Sequence, residues 1–205
     1  MSEPLRFITF EGPEGSGKST QARRLAEWLE SRSATVRLTY EPGDTELGRE
    51  LRRWLLHRQE PMSAAAEFLL YSADRAEHVN NVIAPTLASG GFVISDRFVD
   101  SSYAYQGYGR GLDLGWLRQV SAGVIGSYMP ALTILLDLPP EVGLARFEGR
   151  DRLEGESLAF HVRVRKGYLE LAAAEPKRFV VINAELPAEA VFARIVAAVR
   201  ERWRL

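Results

Sequence analysis

Five short apolar runs alternate with longer segments of helical periodicity, and this alternation constrains the fold more than any other feature. The runs are rich in Val, Ile, Leu and Phe and are too short for helices, so they predict strands. Parallel strands need long crossovers, and continuous apolar runs need burial on both faces. The sequence therefore predicts an α/β fold with a five-stranded parallel sheet and helices on both faces. The predicted strands are Leu5–Phe10, Thr35–Tyr40, Gly91–Ser95, Leu132–Asp137 and Phe179–Ile182.

A glycine-rich segment joins the first predicted strand to the first helix. Residues 12–19, GPEGSGKS, match the pattern G-x-x-x-x-G-K-[ST]. Its backbone N–H groups can surround a polyphosphate, while Lys18 reaches the β- and γ-phosphates and Ser19 ligates Mg²⁺. An incidental glycine turn is the alternative, and the flanking strand and helix argue against it. We therefore predict a P-loop NTPase fold that binds ATP and Mg²⁺, with nucleotide contacts from Gly12, Pro13, Glu14, Gly15, Ser16, Gly17, Lys18, Ser19 and Thr20.

The loop alone leaves the class of protein open, since switch GTPases, motor ATPases and small-molecule kinases all use it. The chain has no N-K-x-D element, which a guanine-binding GTPase would carry. A kinase needs a second anion site for its acceptor, and residues 91–111, GFVISDRFVDSSYAYQGYGRG, supply a candidate. Asp96 and Arg97 follow a predicted strand, so we expect them beside the phosphate loop. Asp96 can organise Mg²⁺ and Arg97 can hold an acceptor phosphate, although an Asp–Arg ion pair ending a strand is an open alternative.

Composition narrows the classes further. A formal net charge of −1 gives no basic excess for binding nucleic acid, and no apolar run approaches the about 20 residues that span a bilayer. The chain has no cysteine, which excludes disulfides and fits a reducing compartment. We therefore expect a cytoplasmic protein with no nucleic-acid or membrane partner.

The length of the chain, 205 residues, suits one domain, with a short lid at about residues 146–156. Solvated or capping roles are expected for His57, His78 and His161.

Taken together in chain order, five segments resemble the thymidylate kinases, the P-loop enzymes that move the γ-phosphate of ATP onto dTMP to give dTDP. The resemblance covers essentially the whole chain, and it implies a homodimer. Each segment alone is weak or generic, but the set is specific. The segments are EGPEGSGKST, EPGDTELG, LLYSADRAEHV, SDRFVDSSYAYQGYGRGL and FHVRVRKGYLELA.

The resemblance also implies roles for individual residues. Tyr71 stacks on thymine and Arg75 contacts the base from the same helix face, although a helix-core role for Tyr71 is the alternative. Arg97 grips the dTMP phosphate, and Glu14 accepts a hydrogen bond from the 3′-hydroxyl. The remaining implied substrate contacts are Pro42 in a cis turn, Ser102 and Tyr105 near the base and deoxyribose, and Gln106 beside the base. An ordinary Pro-Gly turn is the open alternative for Pro42.

Two features of the chain bear on its catalytic cations. Tyr40 stands where bacterial relatives commonly have arginine. The phosphate loop has no cation besides Lys18, so the resemblance implies that the lid supplies one from Arg150 or Arg152, with Arg146 one helical turn earlier. Solvated lid charges are the alternative. We therefore predict a catalytic set of Lys18, Asp96, Arg97, Arg150 and Arg152.

Three other hypotheses remain open at this stage. The chain could phosphorylate another nucleoside monophosphate or a deoxynucleoside, or it could be a non-catalytic nucleotide switch. A switch has no need for lid arginines beside a second phosphate site. For the implied homodimer, Phe68 and Val79 are candidate interface residues on long helices, and a place in the core is the open alternative for both.

Overall fold

The computed structural model describes residues 4–57, 60–146 and 152–205. Five parallel strands form one sheet in the order β2-β3-β1-β4-β5. The prediction of a five-stranded parallel sheet is confirmed, and the strand boundaries differ from the predicted ones by two residues at most. The strands are β1 (Phe7–Glu11), β2 (Val36–Tyr40), β3 (Phe92–Asp96), β4 (Leu132–Asp137) and β5 (Phe179–Asn183).

Helices cover both faces of the sheet, as the apolar runs predict. Within β1, Phe7 belongs to one apolar cluster, whereas Ile8 and Phe10 belong to a second cluster. Successive strand residues point to opposite faces, so each face of the sheet contributes to a separate core layer. The helices are α1 (Lys18–Glu30), α2 (Glu46–His57), α3 (Ala64–His78), α4 (Ala84–Ala88), α5 (Val99–Ser102), α6 (Leu114–Ile125), α7 (Pro140–Leu144), α8 (Leu158–Ala174) and α9 (Ala188–Trp203). Two π-helical segments, Val79–Ile83 and Tyr103–Gly109, continue α3 and α5.

Capping side chains fix where several helices begin. Ser63 accepts a hydrogen bond from the Ala66 amide at 3.2 Å, and Asp113 accepts one from the Trp116 amide at 2.7 Å. Each bond satisfies an amide in the first turn that has no partner within the helix. Ser157 caps α8 in the same way and sets the end of the segment predicted as a lid.

Two expectations about individual side chains are wrong. His78 and His161 are buried rather than solvated, and His78 bonds to Thr39 and Glu41. Phe68 and Val79 are also buried in the core, so their side chains cannot supply a dimer interface. For the two histidines and for the two apolar residues alike, the side chains that cover them come from other parts of the chain. No helix in the described residues is long and apolar enough to cross a membrane.

Candidate active site

A cavity of about 570 Å³ opens at the carboxyl ends of the strands. Its size lies within the range of small-molecule sites. Most of the predicted site residues line it, and they come from the phosphate loop, the turn after β2, helix α3 and the segment after β3. These are Glu14, Gly15, Gly17, Lys18, Ser19, Thr20, Pro42, Tyr71, Asp96, Arg97, Ser102, Tyr105 and Gln106. Gly12, Pro13, Ser16, Arg75 and Arg152 are not among its lining residues.

The lysine of the phosphate loop, Lys18, forms hydrogen bonds to the backbone of the same loop. Lys18 Nζ donates to the carbonyl oxygens of Gly12 at 3.1 Å and Pro13 at 2.8 Å. Burial lowers the pKa of Lys18 to about 8, and the nearby Arg97 charge acts in the same direction. Gly17 caps α1 with φ of 87°, where an added Cβ would meet open space on the cavity side. A ready-made anion site therefore surrounds a lysine that can exchange carbonyl partners for phosphate.

Ser19 and Asp96 form the candidate magnesium site. The Ser19 hydroxyl donates to Oδ2 of Asp96, while Oδ1 of Asp96 is buried and has no hydrogen-bond partner in the described part of the chain. An orphaned carboxylate oxygen of this kind is a fitting Mg²⁺ ligand. The described residues contain no cluster of three or more His, Cys, Asp or Glu side chains arranged for a metal.

Arg97 is held in an uncommon backbone conformation directly after β3. Its φ is 72°, in the left-handed region that few non-glycine residues adopt. Its Nη1 donates to Ser101 at 3.2 Å and to the Tyr168 hydroxyl at 3.3 Å, and its side chain remains 18% exposed to the cavity. No Asp96–Arg97 ion pair forms, since Arg97 pairs with Glu14 instead. A fixed guanidinium facing a cavity suits an anionic ligand.

Glu14 turns away from the phosphate side of its loop. Its Oε1 accepts from Arg97 Nη2 at 2.7 Å and from the Tyr105 hydroxyl at 2.6 Å. Burial alone would raise the pKa of Glu14, but the charges of Arg97 and Lys18 outweigh it and lower the pKa to about 2. The carboxylate is therefore ionised and acts as an acceptor at the second anion site.

Two residues that the sequence analysis did not single out, Glu11 and Tyr168, support the segment after β3 through hydrogen bonds. Glu11, at the end of β1, accepts from the Phe98 amide at 2.8 Å and from the Ser101 hydroxyl at 2.6 Å. Tyr168 of α8 donates to the same carboxylate at 3.0 Å. Burial, aided by repulsion from Asp100, raises the pKa of Glu11 to about 7. A charged residue inside a strand was the available signal for Glu11; nothing local marks Tyr168.

The turn after β2 packs against helix α3, which carries Arg75. The Glu41–Pro42 peptide bond is cis, as the resemblance implies. Arg75 is buried behind the cavity, where it donates to Glu41 through Nε at 2.9 Å and to Ser102 through Nη1 at 3.1 Å. The structure thus brings Arg75 to Ser102 rather than to the cavity wall. Its contact with a base stays a prediction.

Arg52 is a further residue that the sequence analysis missed. It lines the cavity, its Nη1 donates to the Pro42 carbonyl at 2.7 Å, and its guanidinium lies 5.7 Å from the Tyr40 ring. Tyr40 therefore stands next to an arginine that comes from α2. Arg52 thus puts a positive charge beside Tyr40 on this wall of the cavity.

The lid arginines have different surroundings. Arg146 lines the cavity, and its Nη1 donates to the Gly15 carbonyl of the phosphate loop at 2.6 Å. Arg152 points elsewhere: it pairs with the buried Glu67 at 2.6 Å and donates to the Leu55 carbonyl at 2.8 Å. Arg150 lies outside the described residues. Arg152 therefore attaches the end of the predicted lid to α2 and α3.

Three features define a P-loop protein of the nucleotide kinase class. They are the parallel sheet, the phosphate loop and Arg97, which faces the same cavity. A sequence model of the thymidylate kinase family matches residues 10–195. The chain is 55% identical over 199 residues to a thymidylate kinase of Synechococcus sp., covering 97% of this chain and 96% of the relative. It is 51% identical over 205 residues to the thymidylate kinase of Deinococcus radiodurans, covering 98% and 99%.

A solved structure gives the same result. The crystal structure of thymidylate kinase from Ehrlichia chaffeensis superposes with a TM-score of 0.80 at 34% identity, covering 97% of this chain and 99% of that one. The chain belongs to the thymidylate kinase family.

Proposed function

We propose that this protein transfers the γ-phosphate of ATP to dTMP, giving dTDP and ADP for dTTP synthesis. The observation that carries the proposal is the contact between Glu14 of the phosphate loop and Arg97 of the second anion site, at 2.7 Å. This contact joins the phosphate loop, to which we assign the donor, to Arg97, to which we assign the acceptor phosphate, and both residues line one cavity. Phosphoryl transfer depends mainly on such positioning and on nearby cations.

The acceptor half of the cavity suits a deoxynucleoside monophosphate. Arg97 holds the phosphate, Glu14 accepts from the 3′-hydroxyl, and Tyr105 crowds the 2′ position. Tyr71 offers a ring face to the base from α3, and Ser102 and Gln106 offer polar atoms to its edge. The acceptor phosphate oxygen is already anionic, so no side chain acts as a general base.

The donor half holds ATP on the loop amides and on Lys18. Ser19 and Asp96 would hold Mg²⁺, which when bound neutralises charge on the β- and γ-phosphates. Arg146 contacts the loop at Gly15. We assign the extra cation for the transferred phosphate to Arg146 and a lid-anchoring role to Arg152. Arg150, which is outside the described residues, stays a sequence-based candidate for the same role.

The homodimer, the single-domain organisation and the cytoplasmic location are parts of the same proposal. Exposed apolar side chains on α2 and α3, at Leu47 and Leu69, can contribute to a dimer interface in place of the buried Phe68 and Val79. The absence of cysteine fits a reducing compartment.

The direct test incubates the purified protein with ATP, Mg²⁺ and dTMP and separates the nucleotides by chromatography. We expect dTDP and ADP in equal amounts. ADP without dTDP, or neither product, would overturn the proposal and favour a hydrolytic switch or a kinase for another acceptor.

A further inference from the structure

Glu67 is a fully buried carboxylate that the proposed mechanism does not use. It lies in α3 next to the acceptor end of the cavity, with 0% of its surface exposed. Its Oε1 accepts from Gln106 Nε2 at 2.8 Å and from Arg110 Nε at 3.3 Å, and its Oε2 accepts from Arg152 Nη1 at 2.6 Å and Arg110 Nη2 at 3.2 Å. Burial alone would raise the pKa of Glu67, but the bonds from Gln106 and Arg110 lower it. The group is therefore ionised and only accepts hydrogen bonds.

The Glu67 carboxylate fixes the orientation of the Gln106 side-chain amide. A glutamine side chain has one donor edge and one acceptor edge, and a carboxylate accepts only. The NH₂ edge of Gln106 must therefore face Glu67. Gln106 lines the cavity, and its amide oxygen has no partner among the described residues. The acceptor edge is thus the one left for a ligand.

Ser102 supplies the opposite polarity nearby. Its Oγ accepts from Arg75 Nη1 at 3.1 Å, and an arginine only donates, so the serine proton is available to another acceptor. Ser102 also lines the cavity. One acceptor and one donor complement the N3–H and C4 carbonyl of thymine. Cytosine presents the reverse pattern, an acceptor at N3 and an amino group at C4.

We propose that Glu67 is a positioning residue that sets base specificity: it locks the Gln106 amide with its oxygen toward N3 of the base, so thymine is accepted and cytosine is rejected. The inference rests on the proposed function, because it assumes a pyrimidine deoxynucleotide in the acceptor half. Glu67 itself does not touch the substrate. It acts through Gln106.

The charges around Glu67 predict what a Glu67→Gln variant does. Two guanidinium groups donate to Oε2, one of them at 2.6 Å, whereas the guanidinium contact of Oε1 is the longer bond from Arg110 Nε at 3.3 Å. The new amide therefore places its oxygen on the Oε2 side and its NH₂ toward Gln106. Two NH₂ groups cannot bond to each other, so Gln106 turns over and presents NH₂ to the cavity. The NH₂ group of Gln106 then faces the N3–H of thymine, which is also a donor, so the two cannot form a hydrogen bond. The same NH₂ group can donate to N3 of cytosine.

The experiment measures kcat/KM for dTMP, dUMP and dCMP with the full-length enzyme and its Glu67→Gln variant. dCMP is also measured as a competitor of dTMP, which defines selectivity when its turnover is slow. We expect the preference for dTMP over dCMP to fall roughly 10- to 100-fold, the effect of one misplaced buried hydrogen bond. The preference for dTMP over dUMP should not change, because these bases differ only in a methyl group.

Three further variants distinguish base selection from loss of structure. Glu156→Gln changes the other partner of Arg110, at 2.5 Å, without touching Gln106, and should keep the dTMP-to-dCMP preference. Gln106→Leu should lose that preference even if Glu67→Gln fails to fold. In the Gln106→Leu background, adding Glu67→Gln should change the preference no further.

Each outcome has a defined meaning. An unchanged preference in folded Glu67→Gln, or full selectivity in Gln106→Leu, overturns the inference while dTMP turnover by the unmodified enzyme preserves the proposed function. No turnover of dTMP by the unmodified enzyme overturns both.

Discussion

The Glu14 carboxylate of the phosphate loop accepts a hydrogen bond from Nη2 of Arg97 at 2.7 Å, although the two residues are 83 positions apart in the chain. Tyr105 donates to the same carboxylate oxygen. In the proposed function the loop has two sides: its backbone and Lys18 are assigned to the donor, and Glu14 is assigned to the acceptor. A carboxylate directed at the polyphosphate would repel it at close range.

Replacing Glu14 by glutamine should separate these two sides. We expect Glu14→Gln to keep its affinity for ATP, because the loop amides and Lys18 are unchanged. The kcat/KM for dTMP should fall roughly 10- to 100-fold, since the sugar loses a charged acceptor. Calorimetry with a non-hydrolysable ATP analogue and steady-state kinetics measure the two effects. A loss of ATP affinity equal to the loss in kcat/KM would place Glu14 on the donor side instead.

Arg97 should act on the acceptor alone. We expect Arg97→Ala to raise the KM for dTMP and to lower kcat, with kcat/KM reduced roughly 100- to 1000-fold, because a charge-assisted contact to phosphate is lost. Arg24→Ala is the matched control, since Arg24 pairs with the exposed Glu189 away from the cavity. Kinetics that match the control would remove Arg97 from the site, and thermal denaturation would show whether either protein is unfolded.

The Lys18 pKa predicts how ATP binding depends on pH. Burial lowers this pKa to about 8 in the free enzyme, so Lys18 is charged below pH 8 and increasingly neutral above it. Anionic ATP favours the charged form. Affinity for an ATP analogue should therefore be constant below pH 8 and should fall about tenfold per pH unit above it, with uptake of a proton on binding.

Calorimetry in buffers of different ionisation enthalpy measures both the affinity and the proton uptake. Lys18→Arg provides the control, because arginine stays charged over this range and should give a flat profile. A flat profile for the unmodified enzyme up to pH 9.5 would contradict the assignment.

The lid arginines should fall into two groups. We expect Arg146→Ala to lower kcat roughly tenfold with little change in thermal stability, because the one side-chain hydrogen bond that Arg146 makes to the described residues goes to the Gly15 carbonyl. Arg152→Ala should lower thermal stability instead, because it leaves the buried Glu67 with one fewer cation. Differential scanning calorimetry and single-turnover kinetics test this division. The reverse assignment would return Arg152 to the catalytic set.

Local sequence patterns predict the sheet and the phosphate loop well. The central strands β1, β3 and β4 are buried on both faces, so each appears as a continuous apolar run, whereas the edge strands β2 and β5 are partly exposed. The loop's function depends on backbone amides within one short segment. Asp96 and Arg97 follow from the same logic, because the end of β3 fixes where they lie. These features need no knowledge of distant partners.

The supporting contacts depend on residues far apart in the chain. Arg75 was expected at the cavity, but its guanidinium bonds to Glu41 and Ser102, 34 and 27 positions away. Tyr168 reaches Arg97 across 71 positions. The burial of His78 follows from the same packing of α3 on the turn after β2. Helical periodicity identifies a face but does not identify the partner that covers it.

The central claim concerns the acceptor, and competition among acceptors tests it most directly. The purified enzyme receives ATP, Mg²⁺ and an equimolar mixture of dTMP, dCMP, UMP and GMP, and mass spectrometry quantifies the diphosphate made from each acceptor at early times. ADP, the co-product of every transfer, is left out of the comparison. Tyr71, Tyr105 and the Gln106 amide predict that dTDP exceeds the diphosphate of every other acceptor by at least about tenfold. Equal formation of UDP or a second ribonucleoside diphosphate would contradict the account.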